Sequence, residues 1–224
     1  MIYLNAVFSH ALEPEQLPAA VRTALGKPLR RAAALTQLAV IGAIQCIPPA
    51  RRHLPTLLLW QTTSGPRAET LNLLEEICLG SAEPMPYDFL ASQPTLAAAQ
   101  LSAVLPGLQS ASHLPLDDEH SAQWSLLLSL AQGCLDEGRH AQVLCAHLDS
   151  WPDVASGHWL SLSGEPLENS LASLQLVKDS TLPSLSDQAD FPRQLAQSLQ
   201  QHRRPTLAVY SPGRPRLALE FARL

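Results

Sequence analysis

Charge is scarce in this chain. Asp, Glu, Lys and Arg make up only 16% of its 224 residues and leave a net charge of −5. No basic run or basic–aromatic patch occurs. Arg30-Arg31, Arg51-Arg52 and Arg203-Arg204 are isolated pairs of the kind that sit on surfaces and helix ends. A nucleic-acid partner is therefore not expected. The cysteines are few and far apart: Cys46, Cys78, Cys134 and Cys145, each in an apolar stretch and none in a C-x-x-C pair. They read as buried free thiols of a reducing compartment rather than as a zinc site or a disulfide frame. G-x-S-x-G, G-x-G-x-x-G, the P-loop and H-E-x-x-H are all missing. No cofactor and no metal site is expected.

Long apolar runs are missing too. The most apolar stretch, Ala32 to Ile47, is broken by Thr36, Gln37, Gly42 and Gln45. It does not reach the roughly 20 residues of a membrane span. The N-terminal MIYLNAVFSHALEPE has no basic segment leading into an apolar core, so it does not read as a secretory signal. These features together suggest a cytoplasmic protein.

What the chain does have is apolar bulk: 46% hydrophobic residues, enough for one sizeable domain without disulfide staples. So little polar surface also suits a buried interface with a partner. Met1 to Phe8 alternates weakly, as a strand does. Leu29 to Ile47 has apolar residues at helical spacing and ends at Pro48-Pro49. Leu54 to Gln61 and Gln142 to Leu148 are short apolar runs that read as buried strands. Arg67 to Leu79 reads as an amphipathic helix with Leu71, Leu74, Ile77 and Cys78 on one face. Thr95 to Leu105 and Ser121 to Glu137 read as further helices, and Ser110 to Leu116 as a short strand. Strands alternating with helices over residues 54–148 predict βαβ units and a largely parallel sheet. Beyond residue 150 the expectations are strands at 159–162 and 171–177, a helix at 192–202, and a hairpin pairing 206–210 with 216–221. No internal repeat is visible.

The order of these segments resembles the N-terminal half of a β-ketoacyl synthase, and more closely the short synthase-like, chain-length-factor-like proteins. Four stretches carry the resemblance: LRRAAALTQLAVIGAI (29–44), LLLWQTTSGPRAETLNLLEEI (57–77), YDFLASQPTLAAAQLSAVLPG (87–107), and LDEG (135–138) followed by HAQVLCA (140–146). It covers roughly residues 27–150. It implies an α/β, thiolase-like half-fold with a mostly parallel sheet flanked by helices. The whole of 1–224 is then one synthase N-terminal-like domain, with a core over 1–150 and an extension over 151–224.

The departures bear on function. Counting back from Gly138, the family's nucleophilic cysteine position falls at Ser121, beside His120, with no A-C-x-x-G around it. Pro94-Thr95 stands where the family carries a His-Asn pair. A serine nucleophile needs an activating base and an oxyanion hole. Ser121 reads first as a helix N-cap or first-turn residue, and Asp117, Asp118 and Glu119 as acids placed on the helix dipole. With His113 and His120 those acids form the densest group of ligand-type side chains. Thr63-Ser64-Gly65 offers backbone amides to a phosphate, or is an ordinary strand–helix turn. Trp60, Trp124, Trp151 and Trp159 read as core or interface residues, the last two standing near loops where they would anchor a partner.

The resemblance implies a non-catalytic subunit or chain-length factor of type II fatty acid or polyketide (aryl polyene) biosynthesis. It would work with a ketosynthase, an acyl carrier protein, or both, and a homodimer is also conceivable. Residues 95–105 and 124–135 would line its pocket. The alternative is a serine-dependent acyltransferase or thioesterase acting on acyl thioesters through Ser121 with His120 or His113.

Overall fold

The computed structural model describes residues 1–80, 83, 85–116, 122–209 and 217–224. The chain opens with β1 (Ile2–Leu12), α1 (Leu17–Leu25) and α2 (Ala34–Cys46). There follow β2 (Thr56–Gln61), α3 (Arg67–Leu79), α4 (Pro86–Ala91), α5 (Leu96–Ala99) and β3 (Leu108–His113). Next come α6 (Trp124–Asp136), β4 (Gln142–Ser150), β5 (Ala155–Ser163) and β6 (Ala172–Lys178). Then β7 (Ser184–Leu185), α7 (Phe191–Gln200), β8 (Thr206–Val209) and β9 (Leu217–Arg223) complete the described elements.

Every residue of β2 and β4 is buried. That is why their sequences are near-continuous apolar runs rather than alternating ones: helices cover both faces. Leu57, Leu59, Val143 and Cys145 pack on the face that carries α6 and α7. Leu58, Trp60, Leu144, Ala146 and Leu148 pack on the face that carries α2. α2 is itself apolar nearly all round and buries nine residues, as a helix enclosed by protein must. It ends where Pro48 forces the preceding Ile47 into extended backbone (φ −117°, ψ 110°).

The nine described strands run in the order β3-β2-β4-β5-β1-β6-β9-β8-β7. The expected parallel core is present as β3-β2-β4. The remainder is mainly antiparallel, because β4 turns straight into β5 through a tight bend closed by Trp151 N–H on Val154 O (2.8 Å). Only the β7–β8 pair joins β3-β2-β4 in being parallel. The hairpin expected near the C-terminus forms between β8 and β9.

From β1 outward the sheet reads β1-β5-β4-β2; from β6 outward it reads β6-β9-β8-β7. The senses match one for one: antiparallel, antiparallel, parallel. α6 leads into β4 as α7 leads into β8, and both helices join one core cluster. β1 and β6 join the units antiparallel, with Ile2 opposite Leu174. The half-fold expected from the sequence is thus accompanied by a reduced second unit, built from residues that show no sequence repeat. That unit lacks counterparts of β3 and α2 among the described residues.

Three expectations are corrected. Cys46 and Cys145 are buried, but Cys78 is exposed and Cys134 partly so. Leu71, Leu74, Ile77 and Cys78 do share a side of α3, but that side faces solvent. Trp159 is no partner anchor: it is fully buried, and its indole lies across α2 at Gly42.

A β-carbon at residue 42 would fall 2.0 Å from Trp159 Cε2. Gly42→Ala should therefore destabilise the fold by about 1–3 kcal/mol despite the better helix propensity of alanine. Chemical denaturation reads this as a lower midpoint at unchanged slope.

Candidate functional site

The site of interest is where α6 begins, above the ends of β2 and β4. Ser121 and His120, and with them Asp117, Asp118 and Glu119, lie outside the described residues. The described part of this helix head is closed by side chains from elsewhere. Trp124 N–H donates to Asp187 Oδ1 (2.6 Å) and Ser125 N–H to Asp187 Oδ2 (3.1 Å). Gln123 N–H donates to Gln61 Oε1 (3.1 Å). The first amides of a helix have no partner within it and attract anions. Here a carboxylate from the segment leading into α7, in the second unit, satisfies two of them.

Beneath this head a polar row crosses four strands in register: Gln61 on β2, His147 on β4, His158 on β5 and Ser9 on β1. His147 and Gln61 are fully buried. His147 Nε2 lies 2.9 Å from Asp149 Oδ2. A carboxylate only accepts, so this nitrogen carries the hydrogen. His147 Nδ1 and Gln61 Nε2 are buried without hydrogen-bond partners.

Asp149 is the hub. Its Oδ1 accepts from Thr63 N–H (2.7 Å), Ser64 N–H (2.7 Å) and the Thr62 hydroxyl (3.1 Å). Burial alone would raise its pKa. The hydrogen bond and charge of His147 and the amides of Ser64 and Thr63 outweigh that and lower it to about 2. Ser64 Oγ in turn accepts from Ser150 N–H (2.8 Å), so the turn after β2 is tied to β4 at two points. This overturns the phosphate reading of Thr63-Ser64-Gly65: the amides of Thr63 and Ser64 are already taken by a carboxylate.

His158 Nδ1 lies 3.0 Å from Ser9 Oγ. Burial, then the neighbouring His147, push its pKa down to about 4. It is neutral near pH 7 and well matched to a hydroxyl. His113 is placed elsewhere. It pairs in register with Trp60 on the α2 face, its ring centroid 4.5 Å from the indole, and burial lowers its pKa. That is the face opposite α6, so His113 is not brought to the helix head. Residues 95–105 and 124–135 likewise do not share a pocket wall. Ala97, Ala98, Leu101 and Leu105 pack with α2, while Trp124, Leu127, Leu128 and Ala131 pack on the other face of the sheet. Among the described residues no three His, Cys, Asp or Glu side chains are grouped to hold a metal. Sequence reasoning missed the row itself. The signal was His147 and Asp149, two apart in QVLCAHLDS, sharing one face of an otherwise apolar strand.

Two acid transitions follow. His158 binds its proton at about pH 4 when folded and at 6.5 ordinarily, so the unfolded chain gains the proton first and stability falls as pH drops from 6.5 towards 4. Asp149 keeps its charge to about pH 2 against 3.8 ordinarily, so its contribution is lost below about pH 4. His158→Asn should remove part of the first decline and leave the second. Asp149→Asn should cost about 3 kcal/mol near neutral pH by leaving His147 and the turn amides poorly matched. Thermal denaturation across this pH range reads both.

No protein-family model matches the chain, and no curated protein matches it in sequence. Its fold does match solved structures. A chain of the ketosynthase ApeO in complex with its chain length factor ApeC from Xenorhabdus doucetiae superposes with a TM-score of 0.58 at 16% identity, covering 99% of each chain. The ishigamide ketosynthase/chain length factor gives 0.66 at 11% identity, over 100% of this chain and 99% of that one. The complex of the AntDE ketosynthase with the acyl carrier protein AntF gives 0.59 at 8% identity, again over 100% and 99%. The doubled order of strands with two central helices is thus the thiolase-like fold that these ketosynthase and chain-length-factor structures share.

Proposed function

We propose that the chain is a non-catalytic ketosynthase-like subunit, of chain-length-factor type, acting in the cytoplasm in type II fatty acid or polyketide biosynthesis of the aryl polyene kind. The carrying observation is the closed head of α6. In the β-ketoacyl synthases that the sequence resembles, the nucleophile position stands at the head of this helix, where a reactive group needs anion-stabilising donors. Here Asp187 and Gln61 occupy the amides of Gln123, Trp124 and Ser125. The polar row below is fully buried at Gln61 and His147 and partly buried at His158 and Ser9, and it serves to hold strands together. The fold does not fix the function, so the pathway rests on analogy with the similar structures.

The partner in this reading is a ketosynthase chain, with an acyl carrier protein delivering the substrate, and a second copy of this chain is the alternative partner. β3 is the candidate place of contact. It is an edge strand, bonded to β2 on one side, and four of its six residues are exposed. Uncovered edges invite strand addition from another chain. No described helix is long and apolar enough to cross a membrane.

When the chain is mixed with its ketosynthase, amide hydrogen exchange over 108–113 should slow by about tenfold or more as those groups become paired. A complex that leaves β3 exchanging as before would place the contact elsewhere, and no complex at all would remove the subunit reading. The serine-enzyme alternative makes a separate statement: Ser121→Ala should then abolish acyl transfer or hydrolysis.

A further inference from the structure

α3 is exposed along almost its whole length: only Leu73 is buried, and Glu69, Asn72, Leu73 and Glu76 line a cavity against α4 and the start of α2. Its outward side carries Leu71, Leu74 and Ile77, exposed by 58%, 50% and 58%. α4 beside it adds Phe89 and Leu90, also exposed. A helix that leaves its aliphatic stripe to water loses hydrophobic free energy unless another surface covers it.

The charge around this face is predominantly negative. Residues 67–91 contain five acids, Glu69, Glu75, Glu76, Glu83 and Asp88, against one base, Arg67. Arg67 is engaged already, its guanidinium 4.8 Å from the centre of the Trp151 ring. Between α3, α4 and the start of α2 lies a cavity of about 290 Å³ whose walls include Glu69, Glu76 and Asp88, with Arg31 the one cation. Glu69 uses one oxygen to cap Ala34 N–H (2.9 Å) and its other is buried without a partner. The helix pair therefore combines exposed aliphatic surface with an excess of carboxylates.

We propose that α3 and α4 form a docking surface for a partner protein that presents an apolar surface edged by lysine or arginine. A second copy of this chain fits worse, since it would bring the same acids against these acids. An anionic lipid surface or an acidic partner is repelled in the same way. The inference stands on this face alone and does not depend on β3 or on the partner being a ketosynthase.

The test uses the full chain and two fluorescent synthetic helices with the same leucine stripe, one flanked by lysine and one by glutamate, read by anisotropy. The lysine helix should bind, more weakly at high salt, and the glutamate helix should not. Leu74→Ser with Ile77→Ser should weaken binding by about tenfold or more, and the exposure of both residues leaves the fold intact by circular dichroism. Glu75→Lys with Asp88→Lys should weaken the lysine helix and admit the glutamate one. Equal binding of both helices, or binding indifferent to these variants, overturns the proposal. So does a dimer in solution, or adsorption to phosphatidylglycerol vesicles, that Leu74→Ser with Ile77→Ser abolishes. None of these outcomes alters exchange at β3, so the two interfaces fail or stand separately.

Discussion

One carboxylate joins the two units of this fold at the head of α6. Asp187 leaves the second unit just before α7 and receives the first amides of α6, the central helix of the first unit. It neutralises the positive end of that helix and fixes where α6 begins. Trp124 then extends into the shared core, tilted against Phe191 of α7, which in turn meets Phe221 of β9. The same contact that secures the architecture also occupies the amides of Trp124 and Ser125 at the head of α6. In the proposed subunit reading, stability and the lack of catalysis at this helix head share one structural cause.

Below that head, the sheet is held by polar groups that an apolar core would ordinarily exclude. Asp149 keeps its charge because it accepts three hydrogen bonds through one oxygen and one through the other. Burying a carboxylate otherwise costs several kcal/mol. The interaction pins the turn after β2 to the end of β4, so the two strands leading to the α6 head cannot splay. His158 and Ser9 extend the row to β1, which pairs with β6 of the second unit. The row ties four strands together from β2 to β1.

Much of the first unit was legible in the sequence because its signals are local. Leu54–Gln61 and Gln142–Leu148 read as buried strands since each is a short, mostly apolar run, and the hairpin expected of 206–210 with 216–221 forms between β8 and β9. A strand was expected at 159–162, but its antiparallel return beside β4 was hidden, because the short turn from Trp151 to Val154 carries no distinctive motif. The doubled topology was invisible because strand order is set by long-range pairing and not by any repeated motif. α3 shows the limit of periodicity: spacing reveals a stripe on Leu71, Leu74 and Ile77 but not whether protein or water covers it. Asp187 gave no signal at all, being one acid in an irregular segment that acts on a helix sixty residues away.

In the proposed reading, the chain takes part in acyl chain building without itself carrying the acyl group. Intact mass spectrometry after incubation with a ketosynthase partner and an acylated carrier protein tests it most directly. The account predicts the acyl adduct on the partner and an unmodified mass for this chain. An acyl group bound to this chain, lost in Ser121→Ala, would contradict it.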